Sequence, residues 1–197
     1  MGGHLTLPEG SMGTVLFAHG SGSSRHSPRN RHVAEALNRA GLGTLLFDLL
    51  APAEESDRAN VFDIELLARR LVEGTGWLIE LEEWQPQPIG YFGASTGAAA
   101  ALWAASELGH EISAVVSRGG RPDLAMSHLA MVRSPTLLIV GGLDTVVLDM
   151  NRAAQAALNC ENRLDVVPGA THLFEEPGAL DRVADLARVW FVSHFRP

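Results

Sequence analysis

A single cysteine, Cys160, stands in a chain of 197 residues, so no disulfide can form within it. A fold held by cross-links is excluded, and a lone thiol agrees with a reducing, cytoplasmic setting. No stretch approaches the ~20 apolar residues that span a bilayer. The opening MGGHLTLPEG has neither the positive segment nor the apolar core of a secretory signal. Long basic runs are missing and the formal net charge is -8, which argues against nucleic acid or an anionic membrane as the main partner. The eight histidines show no H-x-x-x-H or comparable ligand spacing, so a metal site has little support. Linkers, low-complexity tracts and internal repeats are also absent, and connections are short. One domain over residues 1–197 is expected, without a separate lid.

What is present is a large apolar fraction, 46% of residues, enough to bury a core. Six runs read as buried strands: TVLFAH from Thr14, TLLFDL from Thr44, IGYFGA from Ile89, SAVVSR from Ser113, TLLIVG from Thr136 and RLDVVP from Arg163. They are continuously apolar rather than alternating, as strands covered on both faces are. HLTLP near the N-terminus adds an edge strand of antiparallel sense. Helical spacing fills the gaps, as in Val33, Ala36, Leu37 and Ala40, or Leu180, Val183, Ala184, Ala187 and Phe191. Ala99–Leu108 is apolar nearly all round and reads as a buried helix. Gly74 and Gly76 predict a break or bend in the helical region between Val61 and Trp84. Strand and helix in alternation imply a doubly wound, mostly parallel α/β sheet of six to seven strands with helices on both faces.

Ligands of such a sheet sit beyond the carboxyl ends of its strands. Ser95 follows the third run within GASTG, Asp144 follows the fifth within GGLDTVV, and His172 follows the sixth within PGATHLF. A strand that turns at once into a helix strains its corner residue, so the neighbours Gly93 and Gly97 must be small. The same stretch could be a plain glycine-rich turn. Serine is a weak nucleophile unless a base takes its proton and an acid orients that base. His172 suits the base and Asp144 the acid; a surface histidine and a helix-capping aspartate are the ordinary uses of these residues. HGSGSS after the first run offers backbone donors for a developing oxyanion, with Ser21 and Thr96 as the candidates. Gly22, Arg25 and Arg118 are candidate substrate contacts. The arginines around Arg25 otherwise form a solvated face. Arg118 and Arg121 could each touch substrate, but a pair with Asp123 or another carboxylate is the expected use of both. Asp48, at another strand end, is expected to be structural. Trp77 and Trp84 read as packing residues, and Glu175, Glu176 and Pro177 as the start of the last helix.

The pieces FAHGSGSS, GASTGAAAA, SRGGRPDLA, IVGGLDTVV and GATHLFEEPG together resemble an α/β-hydrolase, nearest to the small, lidless, dienelactone-hydrolase-like branch. The resemblance implies Ser95 as nucleophile, His172 as base, Asp144 as orienting acid, and oxyanion donors at Ser21 and Thr96. Dienelactone hydrolases proper carry cysteine at the nucleophile position, where this chain has Ser95. The implied activity is therefore hydrolysis of a small carboxylic ester or thioester through an acyl-enzyme, with no metal or organic cofactor. Acyl transfer to another acceptor, perhydrolysis and a non-catalytic binding role are the alternatives. Monomer and homodimer both stay open.

Overall fold

Strands apolar on both sides have to be covered on both sides, and the chain meets that demand with one central sheet. The computed structural model describes residues 2–195. Its strands are β1 (Gly3–Thr6), β2 (Thr14–Ala18), β3 (Gly43–Phe47), β4 (Ile89–Ala94), β5 (Ile112–Arg118), β6 (Thr136–Gly141) and β7 (Asn162–Val167). They form a seven-stranded sheet in the order β1-β3-β2-β4-β5-β6-β7. All neighbours are parallel except β1, which runs antiparallel to β3 with Gly3 opposite Phe47. The expected N-terminal edge strand is thus present.

The longer helices are α1 (Pro28–Arg39), α4 (Ile64–Ile79), α5 (Thr96–Leu108), α7 (Thr145–Ala157) and α8 (Ala179–His194). Alternate side chains of one strand serve opposite layers. Val15 and Phe17 of β2 join the core under α1 and α8, whereas Leu16 and Ala18 join the core under α4 and α5. α5 is buried on nearly every side, as its alanines require, because it lies centrally on its face. α1 begins at Pro28 with Ser27 as its cap, the Asn30 N–H donating to Ser27 Oγ at 3.3 Å. Three one-turn helices, α2 (Pro52–Glu55), α3 (Arg58–Val61) and α6 (Met126–Leu129), lie where apolar spacing is too short to read. β7 is only partly covered, because an edge strand has a neighbour on one side alone. Among the described residues no helix is long and apolar enough to cross a membrane.

Sequence and structure part company over α4. It runs unbroken through Gly74 and Gly76. Gly74 serves packing: a Cβ there would lie 2.7 Å from Cζ of Phe47, so its bareness lets the helix settle on β3. A Cβ on Gly76 would meet nothing within 4 Å. Trp84 is buried and its Nε1–H donates to Thr14 Oγ1, but Trp77 is 51% exposed and does not pack in the core. α8 starts at Ala179 rather than at Glu175, because Gly178 turns the chain with φ 78° just before it.

The two helical glycines should therefore answer differently to a methyl group. Gly76→Ala should raise stability by up to about 1 kcal/mol in urea titration, through backbone entropy alone. Gly74→Ala should show no gain or a loss, since the Phe47 ring must shift. Equal gains at both positions would contradict this packing.

Candidate active site

β4 ends at Ala94 and α5 begins at Thr96, so a single residue must reverse the chain's course. That residue is Ser95, held at φ 51° and ψ -119°, a backbone conformation that a side-chain-bearing residue seldom adopts. Its N–H donates to Arg118 O at 3.2 Å, and its carbonyl accepts from Ala98 N and Arg121 N, both at 3.1 Å. The flanking glycines are a matter of contact. A Cβ on Gly93 would lie 2.6 Å from Gly97 O, and one on Gly97 would overlap the Ala18 and His19 carbonyl oxygens. A side chain at Gly93 would push α5 off β4, and one at Gly97 would push it off the end of β2. Thr96 opens α5, where first-turn N–H groups have no intrahelical acceptor.

The loop after β2 is drawn onto this corner. A Cβ on Gly20 would lie 3.0 Å from both Ser95 Cβ and Ala94 O. His19 anchors the loop from beneath. Its Nε2 accepts from Leu49 N at 3.1 Å, so Nδ1 carries the proton and donates to Gly20 O at 3.1 Å. The Ser21 N–H, expected to face an oxyanion, donates to Thr96 Oγ1 at 2.9 Å. The Thr96 side chain is thus a feature that sequence reasoning missed; only its backbone had been singled out.

Asp144 stands at the N-cap position of α7, yet its carboxylate makes no capping hydrogen bond. It accepts instead from His172 Nδ1 at 2.6 Å, with the aspartate side chain 16% exposed. The capping use of Asp144 is thereby set aside. In the tautomer with Nδ1–H committed to Asp144, Nε2 of His172 is the nitrogen left to accept a proton. The His172 loop is pinned by Phe174, which is buried, has φ 56°, and closes a turn with its N–H on Thr171 O at 3.3 Å. Gly119 leaves room beside the ring, where a Cβ would approach His172 Cε1 to 3.5 Å.

Ser95 and His172 line one cavity of about 250 Å³, together with Gly20, Ser21, Ser23, Ser27, Arg29, Ala94, Arg118 and Leu173. No hydrogen bond links Ser95 Oγ to His172 among the described residues. Arg118 lines this cavity and is only 7% exposed, and the carboxylate pair expected for it is not formed: among the described residues Asp123 is held by Arg121 instead. Burial first, and the neighbouring charge of Arg29 second, push its pKa down to about 10. Arg25 is not in this cavity. Its guanidinium pairs with Asp48, whose other oxygen accepts the Arg25 N–H at 2.8 Å, so the residue is structural; it lines a separate groove between α1 and strands β1 and β3. Gly22 also misses the cavity, lining a smaller recess with Leu50, Val61 and Thr96. Arg121 grips Asp123 through two hydrogen bonds of 2.9 and 2.8 Å. Arg29 at the rim was grouped with a solvated face, but its neighbourhood puts it in the cavity wall.

A family model described as the alpha/beta hydrolase fold matches residues 13–158. The crystal structure of a dienelactone hydrolase from Anabaena variabilis is 57% identical, covers 98% of this chain and 92% of its own, and superposes with a TM-score of 0.95. Est1E from Butyrivibrio proteoclasticus superposes at 0.83 over 98% of this chain and 93% of its own with 15% identity, a likeness of fold alone. A Mycobacterium tuberculosis protein that bears a phosphoribosyl transferase name is 64% identical over 98% of this chain, which spans 43% of that relative's length. With the sheet order, the strained serine corner and these likenesses together, the chain belongs to the alpha/beta hydrolase fold family, on its dienelactone-hydrolase-like branch.

Proposed function

We propose that the chain is a serine hydrolase that cleaves a small carboxylic ester or thioester through an acyl-enzyme on Ser95. The observation that carries this reading is the 2.6 Å bond from His172 Nδ1 to Asp144, which frees the other ring nitrogen in the cavity lined by Ser95. In the first step His172 Nε2 takes the Ser95 proton as Oγ attacks the acyl carbon. The carbon–oxygen or carbon–sulfur bond of the ester breaks, and the imidazolium returns its proton to the leaving group. Water then attacks the acyl-enzyme and gives its proton to Nε2; the acyl–Oγ bond breaks, the imidazolium returns the proton to Ser95 Oγ, and the acid leaves. Asp144 stays ionised and keeps the ring in the tautomer with Nδ1 protonated.

The oxyanion of the tetrahedral intermediate would lie between the N–H of Thr96 and the N–H of Ser21. The second donor is engaged by Thr96 Oγ1 at rest, so it exchanges a hydroxyl acceptor for a charged one as the intermediate forms. At rest the Thr96 hydroxyl holds the Ser21 N–H and its loop against the start of α5, so the donor is already in place when the stronger, charge-assisted bond to the oxyanion forms. The Anabaena relative's dienelactone hydrolase name supports hydrolysis. The transferase name belongs to a protein more than twice the matched length, and we assign that activity to the remainder of such chains.

Fluorophosphonate labelling of the wild type and its loss in Ser95→Ala is the first expected result; labelling that persists in Ser95→Ala rejects this nucleophile. On short p-nitrophenyl esters, Ser95→Ala and His172→Ala should each lower kcat by roughly 10⁴-fold or more. Asp144→Asn should lose about 10⁴-fold through the wrong ring tautomer. Thr96→Val should lower kcat about ten- to a hundredfold, less than the ~10²–10³ of a donor removed outright, with Thr96→Ser restoring it. A Thr96→Val enzyme of full kcat would show that the Ser21 contact plays no part.

A further inference from the structure

We propose that the substrate carries an anionic group, a carboxylate or a phosphate, received by the guanidinium of Arg118 in the Ser95 cavity. The inference rests on the hydrolase reading and deepens it. Arg118 ends β5, and its carbonyl holds the Ser95 N–H, so its position relative to the nucleophile is set by the sheet itself. Its side chain is 7% exposed, yet among the described residues no carboxylate oxygen lies within 4 Å of it. Nη2 reaches only the neutral Asn30 Oδ1, at 3.4 Å, and Nε is buried with no partner. The Phe174 ring, 6.0 Å from the guanidinium, adds a weak attraction but no acceptor.

Every other described arginine either pairs with a carboxylate or is exposed to solvent. The most enclosed cation is thus the one left without an anion. A buried, uncompensated charge is strongly unfavourable, and a folded protein keeps one where something else supplies the opposite charge. Arg29 strengthens the case. It lines the same cavity, its Nε is likewise buried without a partner, and its only acid, Glu175, is reached on the solvent side at 3.2 Å. Arg118, Arg29 and Ser23 line a space of about 250 Å³ together with Ser95 and His172. A planar guanidinium fork matches two oxygens of a carboxylate or phosphate. The anion would sit within a few bonds of the acyl carbon, on the acyl chain or on the leaving alcohol.

Two matched pairs of esters test this with the full-length chain. Mono-p-nitrophenyl glutarate is compared with neutral p-nitrophenyl valerate, and acetylated glycerol phosphate with acetylated glycerol. The wild type should favour the anionic member of at least one pair by about tenfold or more in kcat/KM, a charge-assisted contact's worth. A carboxylate preference places the anion on the acyl chain, and a phosphate preference places it on the alcohol. Arg118→Met should bring the anionic-to-neutral ratio near one, mainly through a higher KM for the anionic ester. Arg118→Lys should keep part of it. Arg29→Gln should lower the ratio partially, and it stands in for Arg118→Met should that variant not fold. A wild type that turns over neutral esters and labels at Ser95 but shows no preference in either pair overturns the anionic substrate and leaves the hydrolase standing. So does a preference that survives both substitutions. Absence of labelling together with no turnover of all four esters overturns the hydrolase reading, and this inference falls with it.

Discussion

The arrangement hangs on one steric contact, the seating of the first turn of α5 against the carbonyl edge of β2. Gly97 makes it possible, because any larger residue would strike the Ala18 and His19 oxygens. With α5 that close, β4 has one residue in which to turn, and Ser95 takes up the strain. Strain of this kind is of order 1–3 kcal/mol per residue and persists only where the surroundings over-determine it. Here they do: α5 is buried along its length by its alanines, and Ser95 is hydrogen-bonded through both its backbone N–H and its carbonyl. The apolar burial of a helix thus holds a half-buried polar residue in an unfavourable backbone pose.

The same contact decides where the site lies. The chain leaves β2 for β3 on one side and returns to β4 on the other, so the loops after β2 and β4 diverge at the sheet's switch point. A crevice opens between them, and HGSGSS and GASTG form its walls. His172 and Asp144 arrive from the far half of the sheet, after β7 and β6, and meet each other at 2.6 Å before either meets Ser95. Loop rigidity comes from inside the fold: His19 is tied to Leu49, and Phe174 is sunk into the core beneath the histidine.

Charge is distributed against the overall balance. A chain of formal charge -8 keeps two arginines at its reactive cavity, while its other described arginines either pair with neighbouring acids or stand in solvent. Arg25 and Arg121 illustrate the ordinary use of the residue, with Asp48 and Asp123 closing each pair. Arg118 departs from that pattern at the place where β5 passes the nucleophile. A relative of more than twice the matched length shows that a unit 64% identical to this chain also occurs within a larger one.

Much of the fold was legible because its strands are buried on both faces, and such strands read as unbroken apolar runs whatever their neighbours. The order Ser95, Asp144, His172 was legible too, since each follows directly on a strand, and strand ends share one rim of a parallel sheet. Partners far apart along the chain were not. Arg25 and Asp48 lie 23 residues apart, and Ser21 and Thr96 75 apart, and no local pattern marks either contact. Gly74 was read as a helix breaker because propensity is local; in place it is the flat spot on which the helix rests against Phe47. The sequence by itself determined the layers, the candidate chemistry and the need for small residues around Ser95, all of which follow from hydrophobic period and from the backbone's own sterics. Only the tertiary structure decided which charges are cancelled and which cation stays unpaired, because Coulomb energy depends on distance and burial, and neither is written in the order of residues.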